Sequence, residues 1–235
     1  MSTDTFRRNA ILARLPESEY DRIRRRLQLV DAEIRHQVYQ PGEPITEVYF
    51  PLSSVFSLVG LADDDQVLVE VATVGLEGMV GLPLFLGAGS SPHAAFCQIP
   101  GPAARLGAED LRRALAGDGV LHHELNRFTQ ATMVQIAQNV VCNSTHPTEQ
   151  RAARWLLTTQ DRVGRDEFPL TQQFLAQMLG VRRPTVSEIA SRLQEAGLIR
   201  YSRGIVTIAD RSALERTTCG CYRIVKAEFD RLTGD

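Results

Sequence analysis

Hydrophobic residues along the chain change their spacing twice, which predicts a helical segment, a run of strands and a second helical region. In the first segment Ile23 and Leu27 lie four apart, which indicates a helix over residues 17–29. Short runs rich in valine, isoleucine, tyrosine and phenylalanine then fill residues 30–106, separated by turn residues and glycines. Strands at this spacing predict an all-β barrel or sandwich.

A long helix is predicted after the strands. Residues 120–144 contain neither proline nor glycine, and one face repeats at alternating steps of four and three. Such a helix is about 36 Å long, more than a small β domain can cover, so we predict a dimerisation helix that also joins two domains. We expect its seam to consist of Leu121, Leu125, Phe128, Thr132, Gln135 or Ile136, and Asn139 or Val140. The alternative is a helix that packs wholly on its own barrel.

The stretch LTQQFLAQMLGVRRPTVSEIASRLQEAGLIRYSRG, residues 170–204, has the pattern of a winged helix-turn-helix. Ala176 supplies the small side chain that two steeply crossing helices need, and Gly180 tolerates the left-handed turn between them. Pro184 suits the first turn of the second helix. The buried stripe of that helix is predicted to be Val186, Ile189 and Leu193. Two β runs then form the wing.

The second helix of this motif has an exposed face opposite its buried stripe, and such helices present their amino-terminal residues to base edges. We expect base contacts from Arg183, Ser187 and Glu188. We expect phosphate contacts from Arg182, Thr185, Arg200, Tyr201, Ser202 and Arg203. In the alternative interpretation the winged helix binds another protein and these arginines are only solvated, which two acidic residues on the exposed face favour.

The charge of the chain is unevenly distributed. The formal net charge is −2, which by itself argues against nucleic acid. Residues 1–146 hold 12 basic and 17 acidic residues, a net charge of −5, whereas residues 147–235 hold 14 basic and 11 acidic residues, a net charge of +3. The basic excess is therefore confined to the part that contains the predicted winged helix, as DNA binding requires.

Several classes of protein are disfavoured by the sequence. No apolar stretch approaches the ~20 residues of a membrane helix, and no signal-peptide core is present, so we expect a cytoplasmic protein with no membrane partner. No set of residues forms a convincing nucleophile, base and oxyanion site, so we predict that the protein is not an enzyme.

Two clusters could carry metal or redox chemistry. Cys219 and Cys221 are separated by one glycine, and Cys142 lies near the end of the long helix. A thiol or metal switch is therefore conceivable. We favour inert thiols in a reducing cytoplasm and predict no metal site. The segment ADDDQ, residues 62–66, is interpreted as a hairpin turn and not as a carboxylate site, because aspartate favours turns.

The order of these elements resembles the Crp/Fnr family of bacterial regulators. The resemblance is most specific in LAQMLGVRRPTVSEIASRLQEAGLIRYSRG and in VGLEGMVGLPLFLG. It implies an α+β protein with an amino-terminal β-roll, which is a cyclic-nucleotide-binding-like jelly roll, then a long dimerisation helix and a carboxy-terminal winged helix-turn-helix. We expect a lead-in and sensor domain over residues 1–106, a linker and dimer helix over 107–145, and a DNA-binding domain over 146–235.

The resemblance also implies function. In this family a homodimer binds a two-fold pseudo-palindromic site in double-stranded DNA under the control of an effector in the roll, and RNA polymerase is a candidate partner. Members that bind cyclic nucleotides have an acidic residue directly after the roll's glycine, where this chain has Gly78 and Met79. Their Arg-Ser or Arg-Thr pair is replaced here by His93 and Ala94. We therefore expect weak or no binding of cyclic AMP and predict no cofactor. The effector-pocket candidates are Glu77, Gly78, Met79, Gly81 and His93.

Overall fold

The computed structural model describes residues 4–62 and 67–233, in which helices and strands follow the predicted order. Within this part of the chain, no helix has both the length and the apolar character needed to cross a membrane. Four residues of the predicted hairpin turn, 63–66, lie outside the described residues.

A short helical lead-in precedes the roll. It consists of a 3-10 helix (Thr5–Arg8), α1 (Ala10–Ala13) and α2 (Glu17–Arg24). Asn9 caps α1 by accepting hydrogen bonds from the backbone of the first turn, and its amide group donates to the carbonyl oxygens of Pro51 and Gly78. The second helix ends earlier than predicted, because Gln28 already pairs with Arg105 in a β-sheet.

The roll is built from two antiparallel sheets. Its elements in chain order are β1 (Gln28–Ala32), β2 (Gln37–Tyr39), β3 (Glu47–Pro51), β4 (Val55–Ala62), β5 (Val67–Val74), α3 (Leu82–Phe85), β6 (Ala94–Ile99) and β7 (Gly101–Gly107). One sheet has the strand order β1-β7-β3 and the other has the order β2-β6-β4-β5. Phe50 on β3 and Phe56 on β4 belong to one buried core, so the inner faces of the two sheets share it.

Two helices follow the roll, α4 (Ala108–Ala114) and α5 (Val120–Thr145). The first turn of α5 is capped from a distance, since the carboxylate of Glu19 on α2 accepts hydrogen bonds from the backbone nitrogens of Val120 (2.9 Å) and Leu121 (3.1 Å). Leu125 and Phe128 are fully buried in the core of the roll. The long helix thus begins as part of the roll and then extends beyond it.

The carboxy-terminal region is a winged helix-turn-helix with a helix at each end. Its elements are α6 (Thr148–Val163), β8 (Glu167–Pro169), α7 (Gln172–Leu179), α8 (Arg183–Glu195), β9 (Ile199–Ser202), β10 (Ile205–Ile208), α9 (Arg211–Thr217) and α10 (Cys221–Thr233). The three strands form an antiparallel sheet in the order β8-β10-β9. Trp155, Phe168 and Ile189 belong to a second buried core beneath the motif.

The last helix, α10, turns back towards the roll. Val225 and Phe229 are buried in the same core as Phe128, and the Phe128 and Phe229 rings lie 6.3 Å apart. Neither α6 nor α10 was assigned from the sequence. A residue range that we predicted as DNA-binding domain therefore also supplies a helix that packs on α5.

Candidate nucleic-acid interface and neighbouring sites

Helices α7 and α8 have the predicted helix-turn-helix geometry. Thr171 caps α7, since its hydroxyl oxygen accepts a hydrogen bond from the Phe174 backbone nitrogen at 3.1 Å. Gly180 has φ +64°, and the Val181 nitrogen donates to the Ala176 carbonyl at 2.9 Å, which closes the helix in a Schellman turn. Ala176 is fully buried at the contact between the two helices. Each feature follows from a residue that the sequence identified.

The second helix of the motif exposes the face that was predicted to read bases. Its buried residues include Val186, Ile189 and Leu193 as expected. Glu188 is exposed on the other side of the helix, and Arg183 is exposed on its flank near the amino end. Ser187 is half-buried, and its hydroxyl donates to Gln172 Oε1 at 2.6 Å. Two of the three predicted base-reading side chains are therefore free to contact a groove, while the third has a partner within the motif.

The wing consists of β9 and β10, joined at Arg203 and Gly204. Both residues have positive φ, +50° and +78°, as a tight two-residue hairpin turn requires. Such a turn favours asparagine or glycine at its first position, so an arginine there accepts a backbone conformation that its side chain disfavours. The same turn leaves Arg203 exposed at the tip of the wing.

Most of the predicted phosphate contacts lie at the surface around α8 and the wing. Exposed positions are Arg182, Arg200, Ser202 and Arg203, and Thr185 is half-buried. Within the described ranges, Arg182, Arg183, Arg200 and Arg203 form no ion pair with an acidic side chain. No carboxylate therefore occupies their guanidinium groups, which can pair with a phosphate backbone.

The prediction for Tyr201 requires a correction. Its hydroxyl donates to the carbonyl oxygen of Leu170, and the side chain is half-buried between the wing and the start of α7. Burial raises the pKa of this hydroxyl above its usual range. The tyrosine thus fastens the wing to the helix-turn-helix, and its hydroxyl is not a free donor for phosphate.

The predicted dimer seam on α5 is wrong for its first four members, because they pack inside their own chain. These four are Leu121, Leu125, Phe128 and Thr132, all of which are buried. Gln135 and Asn139 are buried too, and Asn139 donates from Nδ2 to the Val71 carbonyl at 2.9 Å. The open alternative, that the helix packs on its own barrel, is correct for this face.

A second face of α5, about a quarter turn around the helix from the buried one, is apolar and exposed. Met133 is 61% exposed, Ile136 38% and Val140 64%. These positions lie three and four residues apart, so they share one side of the helix. The last two members of the predicted seam, Ile136 and Val140, belong to this face. We call Met133, Ile136 and Val140 the exposed stripe.

The winged-helix region is docked on the roll through both apolar and polar contacts. The rings of Phe96 on β6 and Phe174 on α7 meet edge to face, with centroids 6.2 Å apart. Trp155 Nε1 on α6 donates to Glu70 Oε1 on β5 at 2.9 Å. Burial raises the pKa of Glu70 to about 7, although hydrogen bonds from Ser57 and Trp155 act in the opposite direction. Together, the Phe96–Phe174 contact and the Trp155–Glu70 hydrogen bond set the position of α7 and α8 relative to the roll.

The effector-pocket candidates are not brought together into one cyclic-nucleotide pocket. A Cβ on Gly78 would lie 2.1 Å from the Phe128 ring, so this aromatic side chain fills the space beside the glycine. Met79 is buried in the core, and Gly81 has φ +103° and packs closely on Val48. His93 is exposed, and its ring lies near Gly60 instead.

Glu77, the remaining candidate, already has a basic partner. Arg162 on α6 donates from Nε to Glu77 Oε1 at 2.7 Å and also bonds the hydroxyl of Thr73. Only 5% of the Arg162 side chain is exposed, so this is a largely desolvated ion pair between roll and winged helix. This partner of Glu77 was not predicted from the sequence, because α6 was not foreseen.

Three cysteines and a histidine meet where α5, α6 and α10 join. The thiol–histidine cluster, as we call it, consists of Cys142, His146, Cys219 and Cys221, whose Sγ and ring-nitrogen atoms all lie within 4.8 Å of one another. The Cys142 and Cys219 sulfur atoms are 3.5 Å apart, far beyond the ~2.05 Å of a disulfide bond. The sequence suggested these three cysteines as a conceivable switch but favoured inert thiols and no metal site; with His146 they form a cluster that has the composition of a metal site.

Comparison with known proteins agrees with this geometry. Residues 150–217 match the family of Crp-like helix-turn-helix domains. The fold is similar to FixK2 from Bradyrhizobium japonicum, with a TM-score of 0.69 and 18% identity over 83% of this chain and 98% of that one. A CRP/FNR-family transcriptional regulator from Thermus thermophilus gives a TM-score of 0.63 and 18% identity, covering 81% of this chain and 97% of that one.

A third similar structure is the c-di-GMP-responsive global regulator CLP of Xanthomonas campestris, with a TM-score of 0.64 and 15% identity over 83% of this chain and all of that one. No curated protein matches the chain in sequence. The chain thus carries a Crp-like helix-turn-helix domain within the fold of Crp/Fnr transcription regulators, which confirms the predicted fold class and resemblance.

The filled space beside Gly78 can be tested by a minimal substitution. We expect Gly78→Ala to destabilise the protein by about 1–3 kcal/mol, because the new methyl group overlaps the buried Phe128 ring. Urea unfolding followed by circular dichroism measures the difference. Gly89→Ala is the matched control, since a Cβ there has no heavy atom within 4 Å. Equal midpoints for the two variants would show that the space beside Gly78 is open.

Proposed function

We propose that this protein is a sequence-specific transcription regulator of the Crp/Fnr type that binds double-stranded DNA. The observation that carries the proposal is the exposed amino-terminal part of α8, where Glu188 stands opposite a fully buried apolar stripe and Arg183 lies on the flank. An exposed, polar helix face on a helix-turn-helix is the surface that enters the major groove. The match of residues 150–217 to Crp-like domains supports this assignment, and the protein regulates rather than catalyses.

We assign the contacts to two groups. Arg183 can pair with the O6 and N7 acceptors of guanine, and Glu188 can accept from the amino group of cytosine, so these residues read sequence. Arg182, Thr185, Arg200, Ser202 and Arg203 contact phosphates and hold the motif in register. The left-handed backbone at Arg203 supports its role, because a disfavoured conformation at a wing tip is retained most easily where the side chain has a function.

The protein acts as a homodimer on a two-fold pseudo-palindromic site in this proposal. The exposed stripe of Met133, Ile136 and Val140 supplies the interface, in place of the buried residues predicted from the sequence. A stripe at this spacing can pack against its symmetry mate as a short coiled coil. The division into a sensor region over residues 1–106, a linker and dimer helix over 107–145 and a DNA-binding region over 146–235 is retained, with α10 packed back on α5.

Cyclic AMP does not control this regulator in our proposal. The Phe128 ring lies where a ligand would approach Gly78, and Glu77 is bonded to Arg162. A cyclic phosphate needs a guanidinium that is free to bond it, and that of Arg162 is held by Glu77 and Thr73. An effector of this protein, where one acts, therefore differs from cyclic AMP in its chemistry or in its binding site.

The division of contacts predicts different effects for three alanine variants. Arg183→Ala and Glu188→Ala each lose about 1–3 kcal/mol of discrimination against the wrong base at one position of the site. Arg203→Ala weakens binding to every duplex alike and lowers the dependence of log K on log salt by about 1. Fluorescence anisotropy with a selected duplex and a random duplex, each over a range of salt concentrations, measures both effects.

Arg165→Ala is the matched control for these variants. Arg165 is exposed but precedes β8 at the end of the small sheet away from the wing turn, so its loss leaves binding unchanged. Equal losses on both duplexes for Arg183→Ala, Glu188→Ala and Arg203→Ala would contradict the division into base and phosphate contacts. Absence of salt-dependent duplex binding by the unaltered protein would identify the winged helix as a protein-binding module.

The proposed dimer interface predicts the oligomeric state of a charged variant. Val140→Glu converts the dimer into a monomer, because the carboxylate would lose its water without gaining a partner in an apolar interface. Light scattering coupled to size exclusion distinguishes the 26.1 kDa chain from a dimer of twice that mass. Ile34→Glu, which changes an equally exposed apolar residue away from α5, stays dimeric. A Val140→Glu protein that remains dimeric would rule out the exposed stripe as the interface.

A further inference from the structure

The thiol–histidine cluster lies at the junction between α5 and the carboxy-terminal helices. Cys142 and His146 are four residues apart, so the last turn of α5 places both on one side. Cys219 and Cys221 come from the segment that leads into α10. The three cysteines are buried, whereas His146 is partly exposed and leaves a path from solvent. Four side chains from two distant parts of the sequence thus face one point.

We propose that the thiol–histidine cluster binds one metal ion of the zinc type, with the three sulfur atoms and a ring nitrogen of the histidine as ligands. Three thiolates and one imidazole are a common ligand set of structural zinc sites. The site holds a single ion, because all four ligand atoms lie within 4.8 Å of one another.

The distances within the cluster fit tetrahedral coordination. For Zn–S bonds of about 2.3 Å and a Zn–N bond of about 2.0–2.1 Å, tetrahedral geometry places ligand atoms about 3.5–3.8 Å apart. The Cys142 and Cys219 sulfur atoms are 3.5 Å apart, and Cys221 Sγ lies 3.5 Å from His146 Nδ1. Both edges lie at the lower end of the expected range, and since the four ligand atoms lie within 4.8 Å of one another, the pairs that are farthest apart need to approach by at most about 1 Å to admit the ion.

The surroundings of the cluster suit the charge that such a site carries. A divalent ion with three thiolates and a neutral imidazole has a net charge of −1, and the positive charge of Arg154 acts on Cys142. Gln138 donates from Nε2 to Cys221 Sγ at 3.1 Å, as residues around metal ligands commonly do.

Metal binding would displace protons from the cysteines. A coordinating ion deprotonates its thiol ligands, so each ion that binds releases protons to solvent. Affinity for the ion therefore rises as the pH rises.

The position of the cluster gives the ion a mechanical role. His146 is the cap residue directly after α5, and Pro147 is the cap residue directly before α6. An ion held there fastens the start of α10 to the end of α5, one residue before the chain enters the winged-helix region. If the DNA-binding function proposed above is correct, occupancy of the site fixes the orientation of α8, and DNA affinity depends on the metal.

The test uses untagged, full-length protein purified under reducing conditions without chelator. We expect elemental analysis to find one zinc ion per chain. After removal of zinc, titration with Co²⁺ is expected to give the visible absorption of tetrahedral cobalt and a thiolate-to-cobalt charge-transfer band, saturating at one equivalent. Both signals should be lost when Cys219→Ser and Cys221→Ser are combined.

Cys97→Ser is the matched control, because Cys97 is a buried cysteine of the roll outside the cluster. It should keep one ion per chain and the cobalt spectrum, and zinc should raise the melting temperature of this variant and of the unaltered protein but not of the double variant. Unaltered protein that contains no bound metal and gives no thiolate-to-cobalt band would overturn the proposal. Equal metal content in the double variant, or a Cys142–Cys219 disulfide in the reduced preparation, would do the same. None of these measurements uses DNA, so their outcome is independent of the proposed function.

Discussion

The packing of the buried face of α5 against its own chain is the constraint on which the rest of the structure depends. The helix has 26 residues and is therefore about 39 Å long, and the character of this face changes along it. Near its start Leu125 and Phe128 complete the core of the roll, and further on Asn139 bonds the backbone of β5. At its end Cys142 meets the segment before α10. One helix thus fixes three parts of the molecule relative to one another.

Buried polar contacts fix the position of the winged-helix region relative to α5 and the roll. Asn139 accepts a hydrogen bond from Arg154 Nη1 on α6 at 2.6 Å while its own amide group donates to β5, so one side chain joins three elements. The buried pair of Arg162 and Glu77 joins α6 to the loop after β5. Buried polar groups of this kind must be satisfied together, so they favour one relative position of roll and winged helix over many others. The orientation of α8 is therefore coupled to the roll.

The parts that could be predicted from the sequence are those determined by local rules. Gly180 meets the need for a left-handed turn, and Ala176 and the apolar stripe of α8 meet the need for close packing of neighbouring helices. These requirements are local, so the helix-turn-helix was recognised in detail. The face of α5 could not be assigned, because a periodicity identifies an apolar face but not what covers it. Here the chain covers it with the roll and α10 and leaves Met133 and Val140 exposed. The three cysteines of the thiol–histidine cluster were noted, but their contact with one another and with His146 could not be predicted, because Cys142 and Cys219 are separated by 77 residues and the unforeseen α10 brings them together.

Selection of bound duplexes from a random DNA pool by the purified protein, with and without cyclic AMP and read by sequencing, tests the central claim most directly. The structure and the proposed function predict enrichment of an inverted repeat with half-sites about one helical turn apart, identical in both conditions. No enriched sequence under either condition would contradict specific DNA recognition by α8. An enriched single half-site would contradict the dimer, and a repeat selected only with cyclic AMP would contradict the interpretation of the space beside Gly78.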